Sequence, residues 1–322
     1  MTTAAHHDGR AAPLVSVGLP VFNGAAYLEE AVCSILAQRD VAMELIVSDN
    51  GSTDGTPDIL RALAAMDPRM RVVTSAENRG AAWNYNRTVA LATGTYFKWA
   101  AHDDVLAPGF LAKCVDVLRR DPTVSLAYPR AVDIGSDGEV LQVHPPLRHA
   151  REGRASERAR AVLDHPTPCL EVFGVVRLEQ LRRTARIGPY SSSDRTLLFE
   201  LALHGRFRQV PEVLFLHRQH PARSVHIKGA RTRDAWFDPD RATRFTLPRW
   251  RLLGAHLDAV RRAPIGARER IATLAALGPW TAALAAPLGR EAVGWAAQPA
   301  GRGLQGRVRR PGHGRGRHAA LR

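Results

Sequence analysis

Short apolar runs alternate with helical patterns through the first 135 residues of the chain. The runs predict buried strands, and they lie at residues 14–22, 44–47, 71–74 and 95–99. The segments between them carry apolar residues at helical spacing, as does the stretch 108–120. Residues 124–134 and 139–143 predict a hairpin. This alternation predicts an α/β fold whose mainly parallel central sheet carries helices on both faces.

The second half of the chain has a less regular pattern. A charged helix or loop, a mixed segment and a strand are expected at 148–163, 170–181 and 210–215. Residues 195–204 predict an amphipathic helix, with an apolar face made of Leu197, Leu198, Leu201 and Ala202. From about residue 244 the pattern is helical and basic, and it predicts a C-terminal extension. The tail that follows is rich in Gly, Arg and Pro, and we expect it to be disordered.

The net charge of +14 is high for a globular protein, and it favours partners that carry phosphate. A basic surface attracts nucleotides, nucleic acid and anionic lipid alike. We see no pattern of stacking aromatic residues that supports specific nucleic-acid binding. Residues 1–13 have no signal-peptide pattern. The apolar stretch 271–288 is interrupted by Gly278, Pro279 and Pro287, so no transmembrane helix is predicted.

The three cysteines, Cys33, Cys114 and Cys169, have apolar neighbours and no metal-binding spacing. These features favour buried free thiols, which suit a reducing cytoplasm. We therefore expect a cytoplasmic protein. A peripheral position at the inner face of the cell membrane stays open, because basic helices suit an anionic surface as well as ordinary packing with solvated arginines.

Polar side chains stand where three of the predicted strands end. They are Asn23, Asp49, Asn50, Asp103 and Asp104. In open α/β sheets, ligands bind outside the carboxyl ends of the strands. We therefore expect these side chains to meet in one crevice, although they are distant in sequence.

Two adjacent carboxylates, Asp103 and Asp104, precede a predicted helix. Such a pair can hold Mg²⁺ or Mn²⁺, which takes its remaining ligands from phosphate and water and offsets charge on a departing diphosphate. The plainer interpretation is a solvated loop, since Asp is common in turns. Residues 48–56 present the same choice, because Asp49 and Asn50 suit hydrogen bonds to a nucleobase or ribose, or an ordinary polar turn.

Five segments in this order and spacing make the sequence similar to the family 2 glycosyltransferases of GT-A fold. They are residues 15–23, 46–56, 77–80, 92–96 and 102–104. The resemblance covers residues 14–225. It implies a Rossmann-like domain and an enzyme that moves a sugar from a nucleotide-diphosphate donor to an acceptor hydroxyl with inversion. It also implies a divalent metal cofactor. The acceptor is a glycan, a lipid-linked molecule or a small molecule, and the resemblance does not choose among them.

By that resemblance, the donor lies along the strand ends and its phosphates lie near a later basic segment. The residues implied for the donor are Pro20, Phe22, Asn23, Asp49, Asn50, Asn78, Gly80, Asn86, Arg87, His102, Asp103, Arg218, His220 and Arg223. Asp103 and Asp104 correspond to the family's metal-binding DXD-type motif, with Asp104 implied as the direct ligand. A metal-ligand role and ordinary packing stay open for His220.

Asn50, Ala101 and Ser193 stand where the family usually carries acids. Asn50 both donates and accepts hydrogen bonds, so uracil recognition does not follow from the resemblance. Asp194 matches the carboxylate that the family uses as general base, which takes a proton from the attacking hydroxyl. An N-cap role is the alternative for Asp194, because Asp before an apolar helix is a strong capping signal.

We expect four regions: a disordered N-terminus at 1–13, a glycosyltransferase domain at 14–225, a basic helical extension at 226–298 and a disordered tail at 299–322. Within the domain, 14–135 is expected to bind the nucleotide sugar and 136–225 to face the acceptor. Two other functions stay open. A sugar-nucleotide nucleotidyltransferase usually has a basic Gly-rich loop after its first strand, which residues 23–27 lack. A non-catalytic basic module on a degenerate scaffold would bind membrane or nucleic acid.

Overall fold

Nine strands form one sheet in the part of the chain that the structure describes, and β1 to β4 are the strands that the apolar runs predict. The computed structural model describes residues 14–146, 150, 153–164, 168–227, 230–239 and 247–296. The strands are β1 (Val15–Val21), β2 (Met43–Asp49), β3 (Met70–Thr74), β4 (Tyr96–Trp99), β5 (Val105–Leu106), β6 (Val124–Ile134), β7 (Val140–Val143), β8 (Val175–Arg177) and β9 (Arg206–Arg218).

The sheet is parallel in its first half and mixed in its second. Its order is β3-β2-β1-β4-β8-β6-β9-β5, and β1 to β4 run parallel. β8 lies antiparallel between β4 and β6, whereas β9 is parallel to β6. β5 and β7 pair antiparallel with β9 and β6. The parallel arrangement predicted from the sequence is therefore confirmed for the strands that alternate with helices, and so is the hairpin of β6 and β7.

Helices cover both faces of the sheet. They are α1 (Ala25–Leu36), α2 (Thr56–Met66), α3 (Ala81–Leu91), α4 (Phe110–Arg120), α5 (Ala155–Asp164), α6 (Leu178–Arg183), α7 (Ser193–His204), α8 (Ala230–Phe237), α9 (Pro248–Arg262), α10 (Ala267–Ala283) and α11 (Ala285–Ala296). Short 3₁₀ turns lie at Leu170–Phe173 and Ser224–His226. α1, α2 and α4 supply one apolar layer, and α3, α5, α6, α7, α9 and α10 supply the other.

β1 packs against helices on both of its faces. All seven of its residues are buried, and Val17 and Leu19 belong to the layer of α1 and α2. On the opposite side, Gly18 leaves room for α3, because a Cβ there would lie 2.4 Å from Thr88 Oγ1. α3 can therefore lie close to the sheet and reach the carboxyl ends of the strands.

α7 differs from the predicted amphipathic helix because nearly all of it is buried. Its polar Glu200 has no exposed surface. α9 covers the face that the pattern assigned to solvent. Arg262 of α9 binds Glu200, with Nε 3.0 Å from Oε1, and the rings of His256 and Phe199 are 4.8 Å apart. The amphipathic prediction is wrong because the covering helix is distant in sequence.

The basic helices predicted after residue 244 are α9, α10 and α11, and α10 is joined to α5. Ser156 of α5 donates its backbone N–H and its hydroxyl to Glu269 of α10, at 3.1 and 3.0 Å. No single helix among the described residues is long and apolar enough to cross a membrane, and α10 with the first part of α11 meets that test only as a pair bent by 68°. The predicted disordered segments 1–13 and 299–322 lie outside the described residues.

All three cysteines are free thiols, as the sequence predicts. Cys114 is buried, and burial raises the pKa of its thiol to about 12. Cys33 is exposed, so the expected burial is wrong for this residue. Helical periodicity turns Cys33 outward while its neighbour Val32 faces the core.

Candidate functional site

The loops after β1 and β2 are tied to each other by short polar side chains. Asn23 donates its backbone N–H to Ser52 Oγ at 2.9 Å, and its Oδ1 accepts the Thr53 N–H at 2.8 Å. The Gly24 N–H donates to Thr56 Oγ1 at 2.9 Å. Asn23 has a φ of 51°, in the left-handed region that Asn tolerates better than most residues. The two loops together form a polar rim at the carboxyl edge of the sheet.

Asp49 and Asn50, both predicted to contact the donor, are hydrogen-bonded within this rim. Asp49 is buried, and its Oδ1 accepts a backbone N–H of its own turn at 3.1 Å. Asn50 donates through its amide to Asn78 Oδ1 at 2.9 Å and to the Gly80 carbonyl at 3.2 Å. Because both amide hydrogens have partners, Asn50 shapes the loop 78–80.

Gly80 and Asn84 set the position of α3 at this edge. Gly80 has a φ of 84°, and a Cβ on it would lie 2.4 Å from the Phe237 carbonyl oxygen, so a side chain does not fit there. Asn84 donates to the carbonyls of Val21 and Ser48 at 3.2 and 2.9 Å, which joins the ends of β1 and β2. Sequence reasoning missed Asn84. A polar residue on the buried face of a helix is the signal that finds it.

Asp103 and Asp104 follow β4 at the centre of the same edge. Asp104 is 5% exposed, and its Oδ1 accepts the Arg218 N–H at 2.9 Å. Asp103 Oδ2 lies 2.9 Å from His220 Nε2. Burial and the neighbouring Asp103 carboxylate raise the pKa of Asp104 to about 8. Ionisation of Asp104 is therefore unfavourable at this buried place, although the Arg218 N–H, Arg223 and Lys98 partly offset the cost.

The nearby lysine supplies little charge to this carboxylate pair. Lys98 on β4 is fully buried, its Nζ donates to the Trp99 carbonyl at 2.8 Å, and it lies 4.6 Å from the centroid of the Phe110 ring. Burial lowers the pKa of Lys98 to about 7, although Asp104 opposes that shift. A divalent cation fits this donor set, because carboxylate oxygens are the ligands that Mg²⁺ and Mn²⁺ prefer.

Arg218, predicted to bind donor phosphate, lies behind the wall of the site. It is 1% exposed, and its guanidinium donates to the carbonyls of Asp103, Gly135 and Ser136 at 3.0 to 3.1 Å. It also forms an ion pair with Glu30 at 2.5 Å. Arg218 therefore joins the segments that form the cavity wall, and these contacts occupy its guanidinium in place of the predicted contact with phosphate.

Asp194 lies in the first turn of α7. The position before the helix belongs to Ser192, and no side chain caps it, so the alternative N-cap role of Asp194 is not observed. Burial raises the pKa of the Asp194 carboxyl. Burial also raises the pKa of the Tyr85 hydroxyl, and the carboxylates of Asp194 and of the pair after β4 raise it further.

The strand-end loops enclose a cavity of ≈ 1420 Å³, a volume that includes its open mouth. Ten of the residues predicted for the donor or the metal line it, and they are Pro20, Phe22, Asn23, Asn50, Asn78, His102, Asp103, Asp104, His220 and Arg223. Sequence reasoning did not assign Tyr27, Tyr85, His217 and Trp236, which line it too. These four come from helices and from β9, so only tertiary packing brings them here.

The other predicted site residues are not part of this lining. Asp49, Gly80, Arg218 and Asp194 have the positions given above. Asn86 exchanges two hydrogen bonds with the backbone of Ile187, at 2.8 and 3.1 Å. The Arg87 guanidinium lies 4.9 Å from the Trp83 ring centroid and donates to the Thr74 carbonyl at 3.0 Å. Asn86 and Arg87 thus make supporting contacts around α3.

Asp133, His144 and His217 form a further polar group beside the cavity. They are the one set of three His, Cys, Asp or Glu residues, among those the structure describes, whose ligand atoms lie within 4.8 Å of one another. Asp133 Oδ1 lies 2.9 Å from His144 Nε2 and 2.8 Å from His217 Nδ1. The other ring nitrogen of His217 contacts the guanidinium of Arg223, which lines the cavity.

A second, mainly apolar cavity of ≈ 730 Å³ adjoins the first. Aromatic and prolyl residues dominate its lining, among them Phe110, Tyr128, Pro129, Pro145 and Phe215. Phe173 lines both cavities. The polar group of Asp133, His144 and His217 also lies between the two cavities, because His144 lines the second cavity and His217 lines the first. The two cavities therefore share a wall.

Comparison with known proteins finds similarity to glycosyltransferases in the first part of the chain. Residues 16–172 match the family described as Glycosyl transferase family 2. The chondroitin synthase of Pasteurella multocida is 33% identical over 129 residues, which are 40% of this chain and 13% of the synthase. An uncharacterized glycosyltransferase of Nostoc sp. is 27% identical over 222 residues, 67% of each chain. The chain thus spans only a small part of the synthase's own length.

Solved structures show the same fold. The mannosyltransferase PcManGT from Pyrobaculum calidifontis, in complex with GDP-Man and Mn²⁺, matches with a TM-score of 0.53 and 23% identity over 89% of this chain and 75% of that one. S. aureus TarS 1–349 in complex with UDP matches with a TM-score of 0.50 and 16% identity over 78% and 81%. These likenesses, which reach beyond the family match, establish the GT-A fold.

Proposed function

We propose, because residues 16–172 match the family described as Glycosyl transferase family 2, that this chain transfers a sugar from a nucleoside diphosphate to an acceptor hydroxyl with inversion. One observation carries the proposal: a single cavity contains the Asp103–Asp104 pair, Arg223 and the polar rim of β1 and β2. Such a cavity offers carboxylates for a cation, a guanidinium for a diphosphate and amide groups for a nucleoside.

The nucleoside is proposed to lie along the rim. Phe22 is 40% exposed at the cavity and offers a ring for stacking. Asn78 lines the same cavity and its Oδ1 accepts from Asn50 and from the Gly80 N–H, whereas both amide hydrogens of Asn50 are used within the rim. Base recognition is therefore assigned to the loop 78–80, which Asn50 holds in place.

The diphosphate is proposed to lie between Arg223 and the carboxylate pair. Arg223 can form charge-assisted hydrogen bonds with phosphate oxygens. Asp103, Asp104 and His220 are proposed to hold Mg²⁺ or Mn²⁺, which when bound offsets the charge on the departing diphosphate. The adjacent carboxylates of Asp103 and Asp104 in the cavity wall support this assignment, as does the Mn²⁺ present with GDP-Man in PcManGT.

Asp194 is proposed as the general base. In a single displacement, the acceptor oxygen bonds to the anomeric carbon while the bond from that carbon to the diphosphate oxygen breaks with its electron pair. The hydroxyl proton passes to the Asp194 carboxylate. Burial raises the pKa of this carboxyl, which makes it a stronger base at neutral pH than an exposed Asp.

The acceptor is proposed to occupy the second cavity. Phe173 connects that cavity to the donor site, and Glu171 in its wall is close enough to Asp194 to help raise the pKa of that carboxyl. The aromatic and prolyl lining favours an acceptor with an apolar ring or aglycone over a wholly polar one.

A nucleotide panel tests the donor half of the proposal. GDP, UDP, GDP-mannose and UDP-N-acetylglucosamine are titrated into the protein by calorimetry with Mn²⁺, with Mg²⁺ and with EDTA. We expect cation-dependent binding that weakens at least about tenfold, or about 1.4 kcal/mol, in Asp104→Asn. The control is Asp137→Asn in the exposed turn between β6 and β7, which should bind normally. Cation-independent binding, or no binding of any nucleotide, contradicts the proposal.

A pair of acceptors tests the second cavity. Phenyl β-D-glucopyranoside and methyl β-D-glucopyranoside are compared as acceptors with the donor that binds best. We expect a lower KM for the phenyl compound, and we expect Ala131→Phe, which fills the cavity wall, to raise that KM about tenfold. Ala131→Ser is the matched control. Equal KM values for both acceptors and no effect of Ala131→Phe exclude this cavity as the acceptor site.

A further inference from the structure

Arg223 is held from two sides before any ligand binds. Its Nη1 donates to Gln219 Oε1, and its Nη2 contacts His217 Nε2. A guanidinium has donors and no acceptor. Nε2 of His217 must therefore accept this hydrogen bond, and the proton of a neutral imidazole must lie on Nδ1.

Asp133 stabilises the tautomer of His217 that carries its proton on Nδ1. Its Oδ1 lies 2.8 Å from His217 Nδ1, the nitrogen that carries the proton, and it also accepts from His144 Nε2 at 2.9 Å. Asp133 on β6 stands opposite His217 on β9 in the sheet register. The spacing between the carboxylate and the ring is therefore set by backbone pairing, and the His217 side chain is only 5% exposed.

The same contacts argue against a metal ion at Asp133, His144 and His217. A metal bound to His217 Nδ1 would place the ring proton on Nε2, where it would face the Arg223 guanidinium. Two donors would then point at each other. The arrangement is satisfied without an ion when Asp133 accepts from both histidines and from the Gln219 amide, whose Nε2 also lies 3.1 Å from His217 Nδ1, and when His217 Nε2 accepts from Arg223.

We propose that Asp133 and His217 are positioning residues that hold Arg223 in the orientation in which it binds the donor diphosphate. The inference rests on the proposed function, because it takes the diphosphate as the ligand of Arg223. A free arginine side chain loses rotamer entropy when it is fixed. Fixing it beforehand removes part of that loss from the binding step. Burial lowers the pKa of His217, which keeps the ring neutral and able to accept.

Two substitutions of His217 separate positioning from simple packing. His217→Asn keeps an amide near Asp133 but is too short to reach Arg223. His217→Gln extends an amide oxygen to the place of Nε2 and can accept from Arg223. Binding of inorganic pyrophosphate and of GDP or UDP, each with Mn²⁺, is measured by calorimetry. We expect Kd to rise about three- to tenfold in His217→Asn and to return to within about twofold of the wild type in His217→Gln.

A double-mutant cycle with Arg223→Ala supplies the decisive comparison. Arg223→Ala should raise Kd at least about tenfold, and adding His217→Asn to it should change Kd no further. His226→Asn, at an exposed histidine of the nearby 3₁₀ turn, is the control and should bind as the wild type does. Thermal unfolding of each variant shows whether it folds, and His217→Gln keeps the test valid if His217→Asn does not.

Three results overturn the inference, and they differ from the failure of the proposed function. The first is an equal loss of affinity in His217→Asn and His217→Gln. The second is a further loss when His217→Asn is added to Arg223→Ala. The third is normal binding by Arg223→Ala. If the wild-type protein binds neither pyrophosphate nor a nucleoside diphosphate, the proposed function fails, and this inference fails with it.

Discussion

Asp104 and Glu200 are both buried carboxylates, but they differ in the groups that contact their charges. Glu200 of α7 has no exposed surface, and it receives both Arg262, at 3.0 and 3.2 Å, and the Ala185 N–H at 3.0 Å. Asp104 is 5% exposed, and the one hydrogen bond of its carboxylate in the described structure comes from the Arg218 backbone. Its close neighbour is another carboxylate, Asp103, which helps raise its pKa to about 8.

This difference distinguishes a structural charge from a functional one. A buried carboxylate with an arginine partner joins two elements of the fold, as Glu200 joins α7 to α9. A buried carboxylate beside a like charge is unfavourable in the free protein, and it is stabilised when a cation arrives. The first kind should therefore matter mainly for stability and the second mainly for ligand binding and turnover.

The largest effect is expected for Asp194, a third carboxyl group, which is partly buried and has a raised pKa. Asp194→Asn removes the proposed base, so turnover should fall about 10²- to 10⁴-fold while Kd for the donor stays within about twofold. Turnover of the wild type should fall as pH drops through the raised pKa of Asp194, because the protonated form is not a base. Steady-state kinetics and calorimetry provide the two readouts. Asp164→Asn on α5 is the exposed control, and undiminished turnover in Asp194→Asn removes Asp194 from this role.

Arg262→Met should destabilise the fold by about 3 kcal/mol, because it leaves the Glu200 charge buried without its partner. Urea unfolding followed by circular dichroism measures this change. Arg261→Met is the matched control, since its side chain is 77% exposed and its contact with Asp258 is 3.5 Å long. It should alter stability by no more than about 0.5 kcal/mol. If both variants unfold alike, the structural role of Glu200 is wrong.

His256, also buried beside α7, should make stability fall in acid. Burial lowers its pKa to about 4, below the ordinary value of 6.5. As pH falls below 6.5, the unfolded chain binds the proton first, so folding stability decreases until the pH passes the folded pKa. The loss between pH 7.5 and 4.5 is about 2.5 kcal/mol. His256→Phe should remove this part of the pH dependence in urea titrations, and identical slopes for the two proteins contradict the prediction.

Mn²⁺ should stabilise the wild type by about 1.4 kcal/mol when the free ion is at ten times its Kd. The reason is that a bound cation would offset the repulsion between the buried carboxylates of Asp103 and Asp104 and so stabilise the folded state. Asp104→Asn should lose this gain, whereas Arg262→Met should keep it, because its defect lies elsewhere. Thermal unfolding with and without Mn²⁺ measures both. A gain of equal size in Asp104→Asn places the ion away from this residue.

Much of the fold follows from local sequence. The apolar runs and helical patterns up to residue 143 give the strands and helices of the parallel half, because each pattern reports which face of one element is buried. The same reasoning predicts that the polar residues at the ends of β1, β2 and β4 lie at one edge, since parallel strands end together. Ten of the predicted site residues line the resulting cavity.

The features that local sequence does not predict depend on contacts between segments that are distant in the chain. Arg218 looks like a phosphate ligand in sequence, but it is enclosed by Glu30 and by the carbonyls of residues 103, 135 and 136. Asn50 looks like a base-reading residue, but the loop 78–80 uses its amide hydrogens. α7 looks amphipathic until α9 covers it. In each case the deciding partner lies 28 or more residues away, where no local pattern reports it.

Part of the lining of the strand-end cavity comes from a stretch of chain that lies after the family match ends at residue 172. Ala222, Arg223, Ile227 and Trp236 all line it, and Phe237 packs its carbonyl against Gly80 of the rim. A change in this late segment can therefore alter the lining of the cavity without any change in the strand-end residues of the first half. Proteins that share every motif of the first half need not use the same sugar.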